Sequence, residues 1–162
     1  VVSRDICSLM NEVTQKPPEV ALMGFSSIKS TQAEKLVSML RRTASFARDN
    51  IRDDDPALIR HIYDTYYIQQ AGLASASDVM SLVSKVIAED LTRYSNQHAE
   101  FMKSPIAELK FGLSLLQTNT LYEERFNKYV VPMVYGNNSL NWQQAFDVFK
   151  LYCNQVLNNI KL

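Results

Sequence analysis

From residue 31 onward, apolar positions recur with the three-to-four-residue spacing of amphipathic helices, broken at short intervals by polar, glycine or proline punctuation. Thr31-Gln32-Ala33-Glu34 has the form of a capping box, and Leu36, Leu40, Ala44 and Ala47 then lay an apolar stripe on a helix predicted to run to about Asn50. Asp55-Pro56 opens a second helix, with Asp as N-cap and Pro at the first helical position. Its core side is Leu58, Ile59, Ile62, Tyr63 and Tyr66, and the neighbourhood of Gly72 stops it. Ser75-Ala76-Ser77-Asp78 restarts the chain into a third helix, in which Val79, Leu82, Val83, Val86, Ile87 and Leu91 keep the period up to about His98.

Ser104-Pro105 caps a fourth helix with Ile106, Leu109, Leu113 and Leu116 inward. Gly112 lies inside it at a cost of about 1 kcal/mol against Ala, so it is read as the mark of a close helix contact. Thr120 to Glu123 has the capping-box form again and opens a helix through Phe126, Tyr129 and Val130. Pro132, ahead of Gly136-Asn137-Asn138, kinks that helix or ends it early. The last helix starts near Asn141 and carries a broad apolar stripe of Trp142, Ala145, Phe146, Phe149, Tyr152, Val156 and Ile160.

Residues 1–30 are different. Ile6, Leu9, Met10 and Val13 make a short amphipathic turn, Lys16-Pro17-Pro18-Glu19 breaks it, and Val20 to Met23 is an apolar run of strand length, so 20–29 is read as extended. A strand needs a partner for its backbone groups, which is either residues 1–10 or sequence upstream. The predicted fold is mainly α: roughly a six-helix bundle over 31–162, with a short extended N-terminal segment over 1–30 as an irregular tail.

Composition changes this picture little. Lys+Arg and Asp+Glu both number 17, so the surface as a whole is no nucleic-acid footprint, while a local basic patch stays open. Cys7 and Cys153 are the two cysteines, without CxxC spacing, which speaks for a cytoplasmic protein without a disulfide framework. No apolar run reaches the roughly 18 residues of a membrane span. His61 and His98 are the two histidines and no HExxH occurs, so no structural zinc is expected. A P-loop, a dinucleotide fingerprint and GxSxG are all absent.

Candidate chemistry gathers on the first two predicted helices. Lys35 and Arg42 lie beside the apolar stripe of one, Arg60, His61 and Asp64 on the other, and a short acidic loop brings the two helices together. A lysine that neutralises phosphate and a carboxylate that holds a metal or orients a hydroxyl are parts of a phosphoryl- or nucleotidyl-transfer site. The same residues are also accounted for as helix-surface ion pairs, Arg60 with Asp64 among them, each worth only about 0.2–0.5 kcal/mol. His61 reads as a hydrogen-bonding partner near the turn and His98 as a helix cap. Tyr63, Tyr66 and Tyr67 suit either a stacking platform or the core, and Asp53-Asp54-Asp55 suits a helix start better than a metal triad. A magnesium site needs at least two convergent carboxylates, and only Asp64 is placed for the part.

At these residues the chain resembles the AbiEii nucleotidyltransferase toxin family. The resemblance is carried by Ala33-Glu34-Lys35-Leu36 with Met39 and Arg42, then by Arg60-His61-Ile62-Tyr63-Asp64. Pro105 with Glu108-Leu109-Lys110, and Met133-Val134-Tyr135-Gly136, add to it. It implies that Lys35 helps bind nucleotide phosphates and that Asp64 is an acidic active-site residue and the candidate metal ligand. Arg42 and Arg60 would flank the same cleft, with Glu34 and His61 inside the matching motifs as further cofactor-binding candidates. It also implies magnesium and a nucleoside triphosphate as cofactors, RNA as a possible acceptor and a separately encoded antitoxin as a possible partner. The family's nucleotidyltransferase core, with its Gly-Ser turn and metal-binding Asp pair, has no counterpart in this sequence. The chain is therefore expected to be the C-terminal helical part of a longer enzyme or a degenerate form of one, inactive and without cofactor by itself. Two other readings stand beside this one: an RNA- or protein-binding helical module, and a structural helical domain in which Lys35 and Asp64 are separately solvated.

Overall fold

The computed structural model describes residues 2–49, 54–134 and 140–162. Asn50, Arg52 and Asp53 of the first loop, and Tyr135 with Gly136-Asn137-Asn138 of the later turn, lie outside the described residues. In chain order the elements are β1 (Val2–Ile6), α1 (Leu9–Val13), β2 (Val20–Phe25), α2 (Ile28–Ala47), a 3-10 turn (Pro56–Ile59), α3 (Arg60–Gln70), α4 (Ala76–Arg93), α5 (Ala99–Lys103), α6 (Pro105–Thr118), α7 (Leu121–Tyr129), a second 3-10 turn (Val131–Met133) and α8 (Trp142–Asn159). The fold is mainly α with a short extended N-terminal part, as the periodicity predicts. Beyond the expected six helices, α1 is the short amphipathic turn read from the sequence, without Ile6, which belongs to β1, and α5 is five residues, too short for a 3.6-residue period to register.

Helix α2 is the axis of the bundle: α3, α4 and α6 all pack on it, and α8 closes the far side against α3, α4 and α6. It starts one turn earlier than Thr31. The Ser27 hydroxyl accepts from the Ser30 amide at 3.1 Å, and no breaker in Ile28-Lys29-Ser30 stops the helix from beginning there. Its buried side holds Leu36, Leu40 and Ala44 as expected, but also Met39, while Ala47 at the frayed end is exposed. Gly112 of α6 packs directly on the α2 backbone: an added Cβ there would sit 2.2 Å from the Leu40 carbonyl oxygen.

The connections follow local chemistry. Asp55 caps the 3-10 turn, accepting from the Ala57 amide. Helix α3 ends in a Schellman motif: Gly72, at φ 64°, donates to Gln69 O, and Leu73 donates to Ile68 O. Ser75 with Asp78, and Asn141 with Gln144, form complete capping boxes on α4 and α8. Thr120 does not form one, because it is already helical at φ −60°; the Leu121 amide is met instead by the Asn119 side chain at 3.0 Å. Helix α4 ends at Arg93, and His98 lies beyond it at the start of α5, buried. The core runs through Phe101, Phe126 and Phe149, with Trp142 stacked on Phe146 at 4.9 Å between centroids.

Strand β2 finds its partner in β1, antiparallel, with Val2 opposite Phe25 and Arg4 opposite Met23. The register slips between Arg4 and Ile6, and in the gap the Asp5 carboxylate accepts from the Leu22 amide at 2.8 Å. Every residue of both strands is exposed, Leu22 at 75%.

Candidate functional site

A buried hydrogen bond sets the α2–α3 interface: Gln32 Nε2 donates to Thr65 Oγ1 at 2.9 Å, and that hydroxyl donates in turn to His61 O at 2.8 Å. One turn along α2 from Gln32, and one residue back along α3 from Thr65, stand Lys35 and Asp64. Their side chains meet, Nζ to Oδ2, at 2.6 Å and half-buried. The two residues carried by the sequence motifs thus share one face of the molecule and touch.

His61, one turn before Thr65, has its Nδ1 shut off from solvent with no hydrogen-bond partner. Burial, reinforced by the nearby Lys35 ammonium, pushes its pKa down to about 4, so it is a neutral imidazole at pH 7. Lys35 and His61 open on a cleft of about 430 Å³, of the size small ligands use. Exposed Glu34 and the hydroxyls of Thr31 and Ser38 lie on the α2 wall of this cleft, and Asp90, Arg93 and Tyr94 come from the end of α4.

The two arginines are placed differently from the expectation. Arg60 does not pair with Asp64, whose Oδ2 is engaged by Lys35; it is exposed and donates from Nε to Ala57 O at 3.1 Å, bracing the 3-10 turn. Arg42 lies two turns beyond Lys35 and reaches Asp55 at 3.5 Å instead of facing Asp64. Two acidic residues after the first helix are engaged: Asp55 caps the 3-10 turn, and Asp54 forms a bidentate pair with Arg125 of α7. Tyr63 and Tyr66 pack against the core and Tyr67 stands 40% exposed beside them, so these rings are chiefly core.

Two clusters escaped the sequence reading. Arg41, 6% exposed, donates from Nε to Asp90 Oδ2 at 2.9 Å and lays its guanidinium 3.8 Å from the centre of the Tyr94 ring. A signal existed, since Asp90 falls three residues after Ile87 on the stripe of Val79 and Val83. A carboxylate in an apolar stripe asks for a partner.

In the second cluster, Glu108 of α6 accepts two bonds from Arg48, at 2.9 and 3.0 Å, and meets buried His98 Nε2 at 3.0 Å. Burial would raise the Glu108 pKa, but the hydrogen bonds from Arg48 and His98 outweigh it and leave the carboxyl below its ordinary value. His98 is therefore a partner of Glu108, not the cap of α4. No periodicity in the sequence links residues so far apart.

Magnesium does not fit what is present. Among the described residues no three His, Cys, Asp or Glu side chains converge as metal ligands. Asp64 brings one carboxylate, already accepting from Lys35, where an octahedral magnesium site asks for more. Cys7 and Cys153 are free thiols. No helix among the described residues is long and apolar enough to cross a membrane.

The family model described as "Nucleotidyl transferase AbiEii toxin, Type IV TA system" matches residues 1–148. No curated protein and no solved structure matches the chain.

Proposed function

This chain belongs to the AbiEii nucleotidyltransferase toxin family, and from that premise we propose that it is the helical part of such a toxin, contributing Lys35 and Asp64 to a nucleotide-binding cleft. The observation that carries the reading is the 2.6 Å contact with Asp64 made by Lys35, which lines a 430 Å³ cleft; Asp64 is not itself among the lining residues and is tied to the cleft through that contact. In the resting chain each neutralises the other. A nucleotide triphosphate competes for Lys35, whose compact ammonium suits a phosphate oxygen, and frees the Asp64 carboxylate to act on a hydroxyl or on whatever the rest of the enzyme brings. His61, a neutral imidazole that also lines this cleft, adds no charge to it. Arg60 braces the 3-10 turn and Arg42 pairs with Asp55, and neither is among the residues lining this cleft.

In this reading the magnesium ligands belong to a nucleotidyltransferase core outside the described residues, and the acceptor is RNA. The exposed β1–β2 hairpin supports the first point, since a two-stranded sheet without a covered face is marginal in water. The family's place in a toxin–antitoxin system adds a separately encoded antitoxin to the proposal.

The test is transfer of labelled nucleotide to RNA. The 162-residue chain alone is expected to transfer none; incorporation by it would overturn the assignment of the metal-binding core to other sequence. With the chain joined to such a core, Lys35→Ala or Asp64→Ala should lower transfer by a factor on the order of 100 or more and leave the helical circular-dichroism signal in place. Undiminished transfer would remove both residues from the chemistry.

A further inference from the structure

Beyond Lys35, α2 presents Ser38, Arg41, Arg42 and Ser45, at i, i+3, i+4 and i+7, along one side of the helix. These four residues line a second cavity of about 210 Å³, which Tyr94 and Gln97 complete. It adjoins the first cleft, because Ser38, Arg41 and Tyr94 line both. Two guanidinium groups, three hydroxyls and an amide make up its wall, and among the described residues no carboxylate lines it.

The carboxylates that hold the two arginines act from outside that wall. Asp90 opens on the first cleft and takes only Nε of Arg41, and Asp55 meets Nη1 of Arg42 at 3.5 Å from a separate small cavity. The planar Arg41 group is fixed on one edge by Asp90 and over one face by Tyr94. It is thus oriented before any ligand arrives, the arrangement that favours a tetrahedral oxyanion.

We propose that this cavity is a second phosphate-binding subsite, distinct from the Lys35–Asp64 pair, with Arg41 and Arg42 as its cations and Ser38, Ser45 and Gln97 as its neutral donors. It goes beyond the nucleotide cleft and stands whether or not Lys35 holds a nucleotide. The ligand chemistry is a phosphate group, which comes either from the nucleotide's own phosphate chain or from the phosphodiester backbone of a single-stranded nucleic acid lying along α2.

The experiment is a titration of the 15N-labelled chain at fixed ionic strength, followed by amide chemical shifts. One arm uses inorganic pyrophosphate, the other a uridine hexanucleotide with no terminal phosphate. The amides from Ser38 to Ser45 are expected to move with at least one probe. Gln97→Glu, at an exposed position that leaves the core alone, puts a carboxylate into the wall and should weaken that response roughly tenfold. Arg42→Gln should weaken it in the same direction, and Lys35→Ala should leave it in place.

Pyrophosphate acting alone assigns the subsite to the nucleotide's phosphates, and a response to the hexanucleotide assigns it to a nucleic-acid backbone; both uphold it. Shifts at Ser38 to Ser45 that ignore Gln97→Glu, shifts that vanish with Lys35→Ala, or no response to either probe would overturn it.

Discussion

Gly112→Ala is expected to destabilise the chain by about 3 kcal/mol, the upper end for overpacking a core. The added methyl would lie 2.2 Å from the Leu40 carbonyl oxygen, 2.9 Å from its carbonyl carbon and 3.2 Å from its Cα. All three atoms are backbone of α2, so no rotamer change relieves the clash and the α2 and α6 axes must move apart. Alanine's better helix propensity returns about 1 kcal/mol, which does not offset the separation of the two helices. Because Leu40 neighbours Arg41 on α2, the same displacement should also loosen the wall of both cavities. Urea denaturation of wild type and variant measures the effect. A variant as stable as wild type, or more so, would mean that the two helices do not touch at Gly112.

Arg41→Ala should cost about 3–5 kcal/mol, the range for removing one partner of a buried ion pair. Arg41 and Asp90 have side-chain exposures of 8% and 11%, so the orphaned Asp90 carboxylate has little access to water, and the Tyr94 ring loses the guanidinium that covers it. Replacing both partners, as in Arg41→Met with Asp90→Leu, removes the uncompensated charge and should return most of that stability. The double variant should still fail to bind phosphate at the second cavity, which separates the structural work of the pair from its work on a ligand. Thermal unfolding of the two variants checks the stability argument. Equal losses in the single and the double variant would contradict it.

How much of this was legible beforehand depended on sequence distance. The apolar periods placed the long helices, and Gly112 was recognisable as a close contact because a glycine inside a helix has a propensity cost that needs a reason. Helix starts were less certain, since any Ser, Thr or Asn followed by an unbroken helical run can cap: Ser27 displaced Thr31, and Asn119 displaced Thr120. The Lys35–Asp64 meeting followed from two motifs on consecutive helices joined by a short loop. The partners of Arg41 and Arg48 did not, because they lie 49 and 60 residues away, and only the packing of α4 and α6 on α2 brings them in. Arg60 shows the converse error: an i+4 spacing made Asp64 its natural partner, but a charge from the neighbouring helix arrived at shorter range.

The most direct measurement for the shared cleft is a titration of the 15N-labelled chain with a non-hydrolysable nucleoside triphosphate, wild type against Lys35→Ala. Amide shifts at Lys35 on α2 and from His61 to Asp64 on α3, and lost at these residues in the variant, are the result predicted here. Shifts that map to α7 or α8, or shifts from His61 to Asp64 that persist unchanged without the Lys35 amine, would contradict it.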